Sequence, residues 1–173
     1  MIERIEQQFR STHGNYLVYL SSFDYLNQLA SAFKASYPDI PTVTQFSGMQ
    51  EADRLAFIQA FQTRRGIVGF AVLGGAFSEG IDLPGDALVG VFIATLGLPP
   101  FDHYHEQLAI RLQNRFQQGY RYTYLYPGIR KVIQAAGRLI RTPDDRGVIE
   151  LIDDRFDSRK VIDLLPEWWK VKH

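Results

Sequence analysis

Cysteine is absent from the 173 residues. That excludes disulfides and any cysteine-ligated zinc or iron–sulfur centre within the chain. No apolar run approaches the roughly 18 residues that a membrane span needs. Met1–Arg10 is charged and helix-like rather than basic and then apolar, so it does not read as a signal peptide. These absences predict a cytoplasmic protein with no membrane partner. Charge of one sign is lacking too. Lys and Arg number 19 and so do Asp and Glu, so no global field draws the chain to nucleic acid. A Gly-Lys-[Ser/Thr] phosphate loop and the G-x-G-x-x-G dinucleotide fingerprint are both missing, which excludes a self-sufficient P-loop ATPase and a Rossmann dehydrogenase.

What is present is an ordinary globular balance, 46% hydrophobic and 22% charged. The length suits one domain over residues 1–173, long enough to bury roughly two thirds of its unfolded surface. The charge is uneven: residues 101–141 hold seven Lys/Arg against two Asp/Glu. That stretch is either a local electrostatic site or a solvated helix face.

Apolar strands alternate with helical stretches. Strands are predicted at Tyr16–Leu20, Pro41–Phe46, Gly66–Leu73, Ala87–Leu96 and Gly147–Ile152. Helices are predicted after Ser21–Ser22, after Ser47–Gly48 with Leu55, Ile58, Ala60 and Phe61 on the apolar side, over Phe101–Gln118, and over Arg130–Arg141. Leu164–Trp169 reads as a terminal turn or helix. The alternation implies βαβ units on a mainly parallel sheet with helices on both faces, a three-layer α/β/α domain. Ligands of such sheets lie beyond the carboxyl ends of the strands.

Three loops there carry chemistry. Gly74–Gly85 holds four glycines and a proline just after a strand, either a phosphate cradle of exposed amides or a plain strand-to-helix turn. In Gln134–Arg141, a helix at about 100° per residue brings Gln134, Arg138 and Arg141 within roughly 60° of one another, with Arg130 on the same side. Two guanidinium forks and an amide suit a polyphosphate; the same pattern also fits a solvated helix face. Gly137, costly in a helix interior by about 1 kcal/mol, suggests a close approach there. Ser21 and Ser22 end the first strand, where hydroxyls either contact a DNA phosphate or cap the next helix.

In order and spacing these segments resemble the second RecA-like (P-loop NTPase-like) motor domain of superfamily 2 helicases of the DinG/XPD-like kind. Leu17–Phe23 resembles motif IV, Ala76–Asp82 motif V, and Gln134–Arg141 motif VI. Asp153–Phe156 resembles the family's D-x-R-F, and Leu165–Trp168 its L-P-x-W. The resemblance covers about Gly14 to Trp169. It implies a 5′-to-3′ ATP-dependent DNA helicase acting in DNA repair or replication. Gln134, Arg138 and Arg141 would be catalytic at the γ-phosphate, the arginines as finger candidates. Asp82, Gly80 and Glu79 would serve the nucleotide, Asp82 through the ribose or by coupling to the DNA side. Ser21, Ser22 and Ser78 would touch single-stranded DNA. ATP with Mg²⁺ would be held mainly by an N-terminal motor domain of the same protein. No Walker A lysine or D-E-A-H box occurs in these residues, so the resemblance places both, with any iron–sulfur cluster, outside them. The chain alone is then expected to be inactive. The alternative is a RecA-like nucleic-acid or partner-binding module that has lost catalysis.

Overall fold

The structure, a computed structural model, describes residues 1–75, 77, 88–140 and 145–169. Five strands form one sheet: β1 (Tyr16–Leu20), β2 (Thr42–Thr44), β3 (Val68–Val72), β4 (Gly90–Ile93) and β5 (Val148–Leu151). The order is β2-β3-β1-β4-β5 and every pairing is parallel. β1 sits at the centre, Tyr16 in register with Val68 on one side and Gly90 on the other. All five of its residues are buried, as its unbroken apolar sequence requires.

Alternate side chains of β1 feed two cores. Tyr16, Val18 and Leu20 point toward α1 (Ile2–Ser11) and α2 (Phe23–Ser36), where Ile5, Leu26, Ala30 and Phe33 close the layer. Leu17 and Tyr19 point the other way, toward α3 (Glu51–Thr63) and the later helices. This is the expected three-layer α/β/α arrangement. The apolar side of α3 differs from the expectation. Phe57, Ala60 and Phe61 are buried and Leu55 is 50% exposed, and the helix starts at Glu51 rather than at Ser47 or Gly48. Gly48, at φ +80°, turns the chain before it, and the Asp53 carboxylate accepts the Gln50 N–H at 3.0 Å.

Buried polar side chains tie the layers together. Asn15 donates to the Phe61 and Arg64 carbonyls (3.1 and 2.9 Å) and accepts from Ile67 N–H (3.2 Å). One amide thus fixes the end of α3 against the starts of β1 and β3. Gln45 accepts from Val72 N–H at 2.8 Å, closing the sheet beyond the end of β2.

After β4 the chain forms α4 (His103–Phe116), capped by Asp102, whose carboxylate accepts the His105 N–H at 2.9 Å. Gln117, at φ 58°, ends it. A wide π-turn over Arg121–Leu125 then runs directly into α5 (Tyr126–Ala136). A short 3₁₀ turn, Asp154–Asp157, and α6 (Arg159–Ile162) follow β5. No helix among the described residues is long and apolar enough to cross a membrane.

Candidate nucleotide and nucleic-acid site

Local chemistry positions α5. Pro127 has no N–H to give to the turn before it, and Tyr126 N–H bonds instead to the Arg121 carbonyl five residues back. A π-turn of this kind accommodates a proline without breaking the helix. Gly128 then passes close to β4's exit: a Cβ there would stand 2.6 Å from the Leu96 carbonyl oxygen and 2.9 Å from Leu98. Ile129, Val132, Ala135 and Ala136 bury the inner face.

The helix ends earlier than its sequence pattern suggests. Gly137 is the C-cap, and Arg138 N–H and Leu139 N–H bond to the Ala135 and Ala136 carbonyls, three residues back. This tighter turn replaces the expected continuation to Arg141. Among the described residues a Cβ on Gly137 would meet only carbonyls of its own helix, Ile133 at 3.1 Å and Gln134 at 3.6 Å, and no described neighbouring element makes the close approach expected there.

Even so, Gln134 and Arg138 line one open cleft of about 790 Å³, together with Tyr122, Tyr126, Pro127, Arg130, Lys131 and Gly137. Three cations and one primary amide face it, and among the described residues no carboxylate lines it. This donor set fits phosphate oxygens and does not fit Mg²⁺, which prefers oxygen ligands of the carboxylate kind. Lys131 reaches across to the sheet. Its Cδ and Nζ lie 3.2 and 3.3 Å from where a Gly74 Cβ would be, and its Cβ lies 3.5 Å from that of Gly97. Gly74 and Gly97 follow β3 and β4, so the cleft opens at the sheet's carboxyl edge.

The buried Tyr19 hydroxyl donates to the Phe77 carbonyl at 3.1 Å. Burial pushes this phenol far above its ordinary range, and the charge of Arg138 acts the other way. Phe77 in turn packs on Phe57, ring centroids 4.4 Å apart. Ser21 and Ser22 stand exposed beyond β1, outside the cleft's lining. Ser22 caps α2, its hydroxyl accepting Tyr25 N–H at 3.2 Å. Ser78, Glu79, Gly80, Asp82 and Arg141 lie outside the described residues.

The cleft also contains Tyr122, Tyr126 and Lys131, which motif spacing did not bring forward. The alternation Tyr120, Tyr122, Tyr124, Tyr126 was their signal, masked because it has a strand's period while the backbone is helical.

An all-parallel five-stranded sheet with a cationic cleft at its carboxyl edge defines a RecA-like helicase domain 2. The chain belongs to the helicase C-terminal domain family, which matches residues 5–172. It is 32% identical over 161 residues to a probable ATP-dependent helicase of Methanocaldococcus jannaschii, covering 83% of this chain and 24% of that protein. It is 37% identical over 106 residues to the ATP-dependent DNA helicase DinG of Photobacterium profundum, covering 56% and 15%. The chain therefore spans about a quarter or less of these relatives. A solved XPD structure in its apo form superposes over 94% of this chain and 33% of its own, with TM-score 0.74 and 22% identity. The second domain of the DEAD-box helicase Mss116p shares the fold at TM-score 0.57 and 15% identity, over 94% of this chain and 53% of that one.

Proposed function

We propose that the chain is the C-terminal motor domain of an ATP-dependent DNA helicase, cytoplasmic and active in DNA repair or replication. The observation that carries this reading is the convergence of Gln134 and Arg138 on one cationic cleft at the sheet's carboxyl edge. In this reading ATP is bound mainly by an N-terminal motor domain of the same protein, which presents the nucleotide to the cleft. Mg²⁺, and any iron–sulfur cluster, would be held outside this chain. Gln134 orients the attacking water, and Arg138 and Arg141 stabilise charge developing on the transferred phosphoryl group. Ser21, Ser22 and Ser78 position single-stranded DNA through its backbone, with movement 5′ to 3′. Asp82 reaches the ribose or couples the nucleotide to the DNA side, and Glu79 and Gly80 shape its loop. The chain alone lacks a phosphate-cradling lysine loop and is expected to hydrolyse no ATP.

The experiment is Arg138→Ala and Arg141→Ala in the complete helicase. Single-turnover hydrolysis should fall on the order of 10³-fold or more, as for other arginine fingers, while nucleotide affinity changes much less. Arg141→Lys should restore little, because an ammonium lacks the planar fork. Unchanged hydrolysis in every variant, with DNA binding intact, would favour the non-catalytic binding module.

A further inference from the structure

Arg130 and Lys131 lie one turn before Gln134 and have no role in the reading above. Neither makes a hydrogen bond or ion pair with any described residue. Lys131 is half-buried all the same, its stem laid over Gly74 (φ +80°) and Gly97 (φ +64°), where a side chain on either glycine would collide with it or with Leu73. Covering the stem in this way holds the ammonium at the cleft. The cleft beside it holds two further cations and, among the described residues, no acid. Tyr122 and Tyr126 wall the same cleft, edge to face at 5.3 Å, and Tyr122 is 44% exposed. The exposed Tyr122 ring, held edge to face by Tyr126, offers one stacking face beside Arg130 and Lys131, so a base and a phosphate can be met together.

We infer that Arg130 and Lys131 form a second phosphate subsite, one turn from Gln134, that takes the phosphate of a nucleotide whose base stacks on Tyr122, the ring that Tyr126 supports. The shared chemistry is a nucleotide phosphate; its source is either a free nucleoside triphosphate or a phosphodiester of a bound single strand. The inference deepens the helicase reading but uses different side chains, so the two can fail separately.

The test measures equilibrium binding of ATP, inorganic tripolyphosphate and a fluorescent oligo-dT strand to the complete helicase, at several salt concentrations. The variants are Lys131→Gln, Arg130→Gln and Tyr122→Leu with Tyr126→Leu. Lys131→Gln should weaken binding of at least one probe by about tenfold, the scale of one charge-assisted hydrogen bond. Loss confined to ATP and tripolyphosphate assigns the free nucleotide. Loss confined to oligo-dT, with the salt slope reduced by about one, assigns the strand. The tyrosine variant should weaken ATP or oligo-dT and leave tripolyphosphate unchanged. Lys131→Arg should retain most of the affinity, which a purely steric role over Gly74 and Gly97 would not allow. All probes binding Lys131→Gln and Arg130→Gln as tightly as wild type, with melting temperatures unchanged, overturns the subsite. Hydrolysis that still depends on Arg138 and Arg141 would then leave the helicase reading standing.

Discussion

Tyr19 Oη and the Phe77 carbonyl oxygen lie 3.1 Å apart, joining the centre of the sheet to the one described residue of the Ala76–Asp82 segment. The hydroxyl is buried, and so is the Phe77 side chain, so no solvent replaces this bond if it is lost. Tyr19→Phe leaves that carbonyl without its partner, and should cost about 1–3 kcal/mol in a denaturant titration. The phenol's pKa is raised by burial, so the folded state resists its ionisation. Its contribution is fully present below the unfolded value near 10 and is lost as pH rises above it. Stability of the native chain should fall above about pH 10, and more steeply than in Tyr19→Phe. Parallel pH curves for the two would remove Tyr19 as the source.

Ser22 and Ser21 separate capping from phosphate contact. Ser22→Ala removes the acceptor for Tyr25 N–H and should destabilise the chain by about 1 kcal/mol. Ser21 is exposed and shows no side-chain bond of this kind, so Ser21→Ala should leave the melting temperature unchanged. If both variants weaken single-strand affinity in the complete helicase, a backbone contact exists at this strand end; if Ser22→Ala changes stability alone, capping is its whole role.

Gly128 and Gly137 should respond in opposite ways. Gly128→Ala drives a methyl group into the Leu96 carbonyl and Leu98, so α5 must move off the sheet; a loss of about 1–3 kcal/mol is expected. Gly137→Ala, at φ −64°, meets only its own helix among the described residues and should keep the melting temperature within a few degrees of wild type. Thermal melting of the two variants side by side checks this, and equal losses would contradict it.

The Asp153–Arg155 pair sets an acid limit. Asp153 accepts from Arg155 Nε and a terminal guanidinium nitrogen (2.8 and 2.6 Å) and from its backbone N–H (3.0 Å). These bonds, the Arg155 side chain first, hold its carboxyl below the ordinary range. A lowered folded pKa gives stability that is present above the unfolded value near 4 and is lost as pH falls through the folded one. Denaturant midpoints should therefore drop below about pH 4 in the native chain and less in Arg155→Ala.

The central strand, the parallel sheet and its two helical layers were legible in the sequence because β1, β3 and β4 are continuously apolar, as strands covered on both faces must be. Edge strands were legible but overextended: Pro41–Phe46 shrinks to Thr42–Thr44, since hydrogen bonding and not hydrophobicity sets its ends. Gln134 and Arg138 were found through spacing, and they do share a cleft. The end of α5 was not legible, because Leu139 and Ile140 continue a helical pattern past a glycine that stops it. The π-turn was equally hidden. Nothing in Arg121–Leu125 signals a turn with one extra residue, and only Pro127 hints that a backbone donor will be missing.

β1 is made early and finished late. Its register partners in β3 and β4 lie about fifty and seventy-five residues further along the chain. At a synthesis rate of roughly 5–20 residues per second, Tyr16–Leu20 waits several seconds for either neighbour. During that interval five consecutive apolar side chains and two unpaired backbone edges stand open, the pattern that invites association between nascent chains. The charged α1, completed just before β1 and able to dock Ile5 on its face, is the first cover among the described residues, and α2 adds Leu26, Ala30 and Phe33 soon after. A truncation that removes α1 should therefore reduce soluble yield far more than it lowers the melting temperature of the chains that do fold.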